Sequence, residues 1–196
     1  SDHETLEVDG KPLKASYFVL AVGARPGSLP FDGSKHLTVS REFLELERLP
    51  EKIVFVGGGF ISFEFAHFAA RLGPKNRSIK ILEAADRPLG SFDAEMVSLL
   101  VAASQEDGIE VITGIGIDAV EKKGSGFAVQ LGSGEVHEAD LVVHGAGRAA
   151  NIEGLGLDNA GIQAEKRGIV VDPSLRTTNP RVFAVGDCAA TLQLAR

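Results

Sequence analysis

The stretch Ile53-Val54-Phe55-Val56-Gly57-Gly58-Gly59-Phe60-Ile61-Ser62 decides how this chain is read. Four apolar residues with no polar alternation predict a strand buried on both faces, as in a parallel sheet. The glycines end it. Residues 60–72 then predict a helix carrying Phe60, Ile61, Phe63, Phe65, Phe68 and Leu72 on nearly every side, so most of its surface should be buried. The pattern is G-x-G-x-x-G with Ser62 in the third place. Between a strand and a helix it has a mechanism. Gly57 makes the tight turn, Gly59 lets backbone amides approach a pyrophosphate at the positive helix end, and a small Ser62 permits close helix–strand packing. Glu83 closes the next predicted strand, about 20 residues further on, where an acid accepts hydrogen bonds from ribose hydroxyls. The alternative is a strand–turn–helix unit that binds nothing.

Working outward, residues 79–83 predict a second strand, 93–106 a second helix closed by Gly108, and 109–112 a third strand. Strand, helix, strand, helix, strand is the order of right-handed crossovers on a parallel sheet. Residues 115–121, 126–131 and 135–137 predict short strands, and the tracts Lys123-Gly124-Ser125 and Gly132-Ser133-Gly134 fit the turns of an antiparallel meander. Residues 141–144 return as a buried strand. Upstream, residues 40–49 predict a short helix with Ser40 as N-cap, Glu42 in its first turn and Pro50 as terminator. Residues 5–8 and 13–22 predict two strands around Asp9-Gly10-Lys11-Pro12, and 169–171 and 182–185 two more. The expected fold class is α/β and Rossmann-like, a parallel sheet with helices and an antiparallel β-meander.

Composition narrows the function classes. A net charge of −7 disfavours nucleic-acid binding, which needs clustered Lys and Arg. No apolar run is long enough for a membrane span, and no signal peptide opens the chain, so a cytoplasmic location is expected. The single cysteine, Cys188, excludes an internal disulfide and a CxxC pair, and with no partner it reads as a buried structural thiol. His3, His36, His67, His137 and His144 lack metal-ligand spacing, so no metal is expected. Glu64 and His67 share a helix face, which reads as local pairing or packing. The only methionine is Met96, so we expect a piece of a longer protein.

Residues 57–66, Gly-Gly-Gly-Phe-Ile-Ser-Phe-Glu-Phe-Ala, resemble the nicotinamide-cofactor motif of the pyridine nucleotide–disulfide oxidoreductases, in particular the glutathione and trypanothione reductase branch. Three further segments carry the same resemblance. Ala21-Val22-Gly23-Ala24-Arg25-Pro26 is similar to the family's A-T-G-x-R-P turn, with Val22 for Thr. Gly147-Arg148-Ala149-Ala150-Asn151 is similar to G-R-x-P-N, with Ala150 for Pro. Thr177-Thr178-Asn179-Pro180-Arg181-Val182-Phe183-Ala184-Val185-Gly186-Asp187 is similar to the second flavin motif.

The resemblance implies a FAD/NAD(P)-binding fold and a set of roles. Gly57, Gly59 and Ser62 would line the pyrophosphate of the nicotinamide cofactor. Phe60 would be the aromatic gate over the flavin ring. Glu64 would sit near the flavin and pair with a lysine from the other dinucleotide-binding half. Gly147 would contact the cofactor through its backbone, and Asp187 would bond the ribitol chain of FAD. The family's first FAD motif, its cysteine pair and its C-terminal dimerisation domain with the catalytic histidine have no counterpart here. Residues 27–159, with a core from about Gly27 to Gly147, would be the NAD(P)H domain. Residues 1–26 and 160–196 would be flanking pieces of the FAD domain. The implied parent is a homodimeric flavoprotein passing hydride from NAD(P)H to FAD and on to a disulfide substrate, and this piece alone would be inactive. Glu83 points to NADH over NADPH, because a 2′-phosphate there would meet a like charge. An NADH oxidase or ferredoxin-type reductase of the same architecture, or a non-enzymatic NAD(H)-binding module, are the alternatives.

Overall fold

The computed structural model describes residues 5–191. The chain divides into two compact units. Pro26–Gly147 forms one, inserted in sequence between the two parts of the other, Ser1–Arg25 and Arg148–Arg196.

The inserted unit runs α1 (Ser40–Leu44), β1 (Lys52–Val56), α2 (Phe60–Leu72), β2 (Ser78–Leu82), α3 (Ala94–Glu106) and β3 (Ile109–Ile112). Then come β4 (Ile117–Lys123), β5 (Gly126–Leu131), β6 (Val136–Ala139) and β7 (Leu141–His144). Four strands form a parallel sheet in the order β7-β1-β2-β3. Central β1 faces two cores. Ile53 and Phe55 pack in one with Phe63, Ala66 and Ala69 of α2, whereas Val54 and Val56 join Val120, Val129 and Leu131 in the other. Burial on both faces is why this strand shows no alternation. The second core is roofed by β4, β5 and β6, an antiparallel meander whose turns are the glycine-serine tracts.

Helix α2 spans the expected residues, but one of its faces is open. Phe60, Phe68 and Leu72 are 51%, 46% and 77% exposed, contrary to the expectation of burial nearly all round. The sheet and Phe43 of α1 cover only the side carrying Phe63, Phe65, Ala66, Ala69 and Ala70. Helix α1 is also shorter than expected. Val39, not Ser40, caps it, and the Glu42 carboxylate accepts the Val39 N–H at 2.9 Å. Phe43 alone of its residues is buried, and the chain beyond Leu44 closes only tight turns, from Glu45 to Glu42 and from Leu46 to Phe43. Helix α3 is capped by Asp93, which accepts the N–H groups of Glu95 and Met96. The ends of the unit are tied together: Gly27 N–H donates to the Gly147 carbonyl at 3.1 Å, and His144 Nε2 lies 2.8 Å from the Gly27 carbonyl.

In the flanking unit, Thr5–Val8 and Lys11–Lys14 form an antiparallel hairpin, and Phe18–Leu20 runs parallel to Val182–Ala184. The strand expected over residues 13–22 is therefore broken at 15–17, because its two halves serve different partners. Of the strand expected at 169–171, only Ile169 is in a ladder, within Gly168–Ile169 against Ala164–Glu165. Ile162, Ile169, Val182, Ala184, Cys188 and Ala189 make this unit's own core. Arg148–Ala150 pairs with Ala24–Pro26, which gathers residues 148–159 to this unit, whereas the boundary read from the sequence lay at 159. Among the described residues, no helix is long and apolar enough to cross a membrane.

Candidate functional site

The carboxyl ends of parallel strands are where open α/β sheets build ligand crevices. Here those ends open on a cleft of about 570 Å³, walled by the glycine turn after β1, the segments after β2 and β3, and Gly145-Ala146-Gly147 after β7. Its size falls within the roughly 300–1,000 Å³ of small-molecule sites.

Gly57 has φ +94°, and a Cβ there would come within 2.3 Å of the Ala146 Cα, so both conformation and space demand glycine. Gly59 then starts α2 without any side-chain cap. The first-turn N–H groups of a helix have no partner within the helix, and the dipole adds a partial positive charge. This is a cradle for an anion.

Glu83 sits at the rim of that cradle. Its Oε2 accepts the Gly58 N–H at 2.6 Å and its Oε1 the Ala85 N–H at 2.7 Å. Arg87 lines the same cleft, with its guanidinium bonded to its own loop. The two guanidinium Nη atoms donate to the carbonyls of Phe92, at 2.9 Å, and Gly90, at 2.8 Å. That fork shapes the loop that folds back on the glycine turn, where the Leu89 N–H donates to the Gly58 carbonyl.

The structure brings Gly57, Gly59, Phe60, Glu83 and Gly147 to this one cleft. Ser62 lies behind it, fully buried, its hydroxyl donating to the Gly57 carbonyl. Glu64 is exposed and lines a separate apolar groove between α2 and α3, which half-exposed Phe60 also borders. Asp187 belongs to the flanking unit, where it is buried with Arg148 Nη1 3.4 Å from its carboxylate. Cys188 is also buried there, its thiol within reach of the Leu20 and Val185 carbonyls.

His67 does not pair with Glu64. It bridges to α3, with Nδ1 3.1 Å from Asp107 Oδ2 and Nε2 3.1 Å from Ser104 Oγ. The order Ser–His–Asp is that of a hydrolytic triad, but Ser104 is fully buried and donates to the Leu100 carbonyl, so no substrate could reach it. No cluster of His, Cys, Asp or Glu among the described residues could hold a metal, and His3 lies outside those residues.

Sequence reasoning missed the Gly145-Ala146 wall, the wall at Ile115-Gly116-Ile117 and the Arg87 fork. The first two carried a readable signal, since each follows a parallel strand. The strand expected at 115–121 begins instead at Ile117, and the Ile115 N–H donates to the Glu83 carbonyl at 3.1 Å, drawing this segment to the cleft.

A family pattern described as pyridine nucleotide-disulphide oxidoreductase matches residues 1–196. The chain belongs to that family. A dihydrolipoyl dehydrogenase from Chlamydia pneumoniae is 34% identical over 93% of this chain and 39% of its own length. A glutathione reductase from Burkholderia cepacia is 33% identical over 95% of this chain and 41% of its own. The chain thus spans about two-fifths of the length of these pyridine nucleotide-disulphide oxidoreductases. Among solved structures, the HOCl-induced flavoprotein disulfide reductase RclA from Escherichia coli is similar with a TM-score of 0.89 and 26% identity, over 98% of this chain and 44% of that one.

Proposed function

We propose that the inserted unit binds NAD(H) and, within a FAD-dependent pyridine nucleotide-disulphide oxidoreductase, presents its nicotinamide for hydride transfer to the flavin and onward reduction of a disulfide. The carrying observation is the junction of an uncapped helix start with a carboxylate held on the glycine turn by Gly58. When bound, the nicotinamide supplies the hydride chemistry; the protein supplies binding and orientation. The first-turn amides of α2 hold the pyrophosphate, and the Glu83 lone pairs left free by Gly58 and Ala85 accept from the adenosine ribose. Phe60 shields the nicotinamide end from water until the ring arrives. In the flanking unit, Asp187 takes the ribitol contact to FAD. The parent is read as a cytoplasmic homodimer.

NADH is preferred over NADPH. A 2′-phosphate beside Glu83 places like charges together, and the nearby cation that could compensate, Arg87, is committed to the carbonyls of Gly90 and Phe92. Hydrogen bonds to a charged group are worth about 1.5–3 kcal/mol. The preference is therefore expected to be about tenfold or more. Calorimetric titration of the purified chain with each nucleotide at one ionic strength tests the reading. Glu83→Gln should weaken NADH by the same factor. Tighter NADPH binding, or an unchanged NADH affinity in the variant, refutes the role of Glu83.

A further inference from the structure

Ser62 stands where the dinucleotide pattern has its third glycine, and its hydroxyl is not idle filler. The side chain is fully buried, and its Oγ–H donates to the Gly57 carbonyl. That carbonyl belongs to the same peptide group as the Gly58 N–H, which donates to Glu83 Oε2 at 2.6 Å. One peptide plane is thus gripped at its oxygen by Ser62 and at its nitrogen by Glu83. The other oxygen of Glu83 is fixed by the Ala85 N–H at 2.7 Å, so the carboxylate is held from both sides.

The opposite wall is shaped for this hydroxyl. A Cβ on Gly145 would come within 1.8 Å of the Ser62 Oγ. The glycine that the pattern omits at 62 is present across the contact instead, at 145. Gly57, at φ +94°, gives its peptide a conformation open to rotation unless something holds the oxygen.

We propose that Ser62 is a positioning residue that fixes the Gly57–Gly58 peptide plane and, through it, the Glu83 carboxylate, so that the choice between the two nicotinamide dinucleotides depends on a side chain that touches neither. The proposal deepens the NAD(H) reading above and rests on it for its ligand, though not for its geometry. A space-filling serine predicts something else: its removal would loosen the helix–strand contact and weaken both nucleotides alike.

The decisive experiment uses Ser62→Ala, Ser62→Gly, Glu83→Gln and the Ser62→Ala/Glu83→Gln double variant. The glycine variant restores the pattern's own residue, which secures a folded protein should alanine fail. Amide hydrogen exchange on the nucleotide-free chain is read at Gly58 and Ala85, and NADH and NADPH are titrated against each variant. Loss of one neutral hydrogen bond corresponds to about a two- to tenfold change. Either Ser62 variant should lower protection at Gly58 by about that factor and weaken NADH several-fold more than NADPH. In the Glu83→Gln background the Ser62 change should add little, as for residues acting through one network. Equal weakening of both nucleotides, unchanged Gly58 exchange, or additive effects in the double variant overturn the proposal. If the unaltered chain binds neither nucleotide, the NAD(H) reading fails, and Gly58 exchange still decides whether Ser62 holds the peptide.

Discussion

The inserted unit and the flanking unit are built from similar apolar residues and differ in how completely they bury them. In the inserted unit, β1 lies between β7 and β2 and between two cores, and Phe55 and Val142 are wholly enclosed. Among the described residues of the flanking unit every sheet has two strands, and Tyr17, next to the Phe18–Leu20 ladder, and Val19, within it, are 64% and 62% exposed. Two-stranded sheets are marginal in water unless something packs on them. The comparison teaches that strand propensity makes a strand, but neighbours on both edges and both faces are what bury nearly all of it.

Single substitutions test this most strongly. Phe55→Ala should destabilise the inserted unit by about 3–5 kcal/mol, whereas Val19→Ala should stay within about 0.5 kcal/mol. Urea unfolding followed separately in each unit reads both, and equal effects would erase the contrast. Hydrogen exchange gives the next largest signal. Amides of Phe18–Leu20 and Val182–Ala184 should open at free energies at least about 2 kcal/mol below those of β1 and β2. Similar protection in both ladders would show the flanking unit to be as cohesive as the inserted one.

Capping sharpens the comparison at a smaller scale. Asp93 accepts two N–H groups at the start of α3. Its replacement by alanine should cost the inserted unit about 1 kcal/mol and leave flanking exchange unchanged. A loss spread over both units would mean that they unfold together.

The smallest effect belongs to Glu138. Its hydrogen bond to Lys123, then the charge of Lys123, then Lys52 hold this carboxyl below the usual carboxylate range. A lowered folded-state value means a contribution present above the ordinary carboxylate pKa and lost as pH falls through the lowered one. Screening at this exposed position keeps it slight. Comparing Glu138→Gln with the unaltered chain at about pH 7 and about pH 3 should show a small gap at the higher pH that closes at the lower. A gap that widens in acid would contradict the sign.

The inserted unit was legible in the sequence wherever local pattern and tertiary surroundings agree. Helix α2 follows from its glycine start and Gly73 stop, and the meander from its evenly spaced turns. The parallel strands follow from unbroken apolar runs. What stayed hidden depends on partners distant in the chain. Nothing in 13–22 reveals that it breaks at 15–17 and that its second half pairs with 182–184, and nothing around Phe68 reveals that it is left 46% exposed. At the site, glycine spacing and the acid at the next strand end pointed to Gly57, Gly59 and Glu83, whereas Phe60 and Gly147 came from the family resemblance. The fork of Arg87 onto its own loop depends on a backbone path that composition does not encode.

The tie between Gly27 and Gly147 has a consequence for how such a protein can be assembled and rearranged. A segment whose two ends meet across one backbone hydrogen bond can be lifted out of a polypeptide, or set into another, without stretching the chain on either side. Residues 27–147 therefore have the anatomy of a cassette. If the unit binds NAD(H) as proposed, gene-level exchange of that cassette between relatives would trade one nucleotide preference for another in a single event, with the splice falling at the paired strands around Ala24 and Arg148.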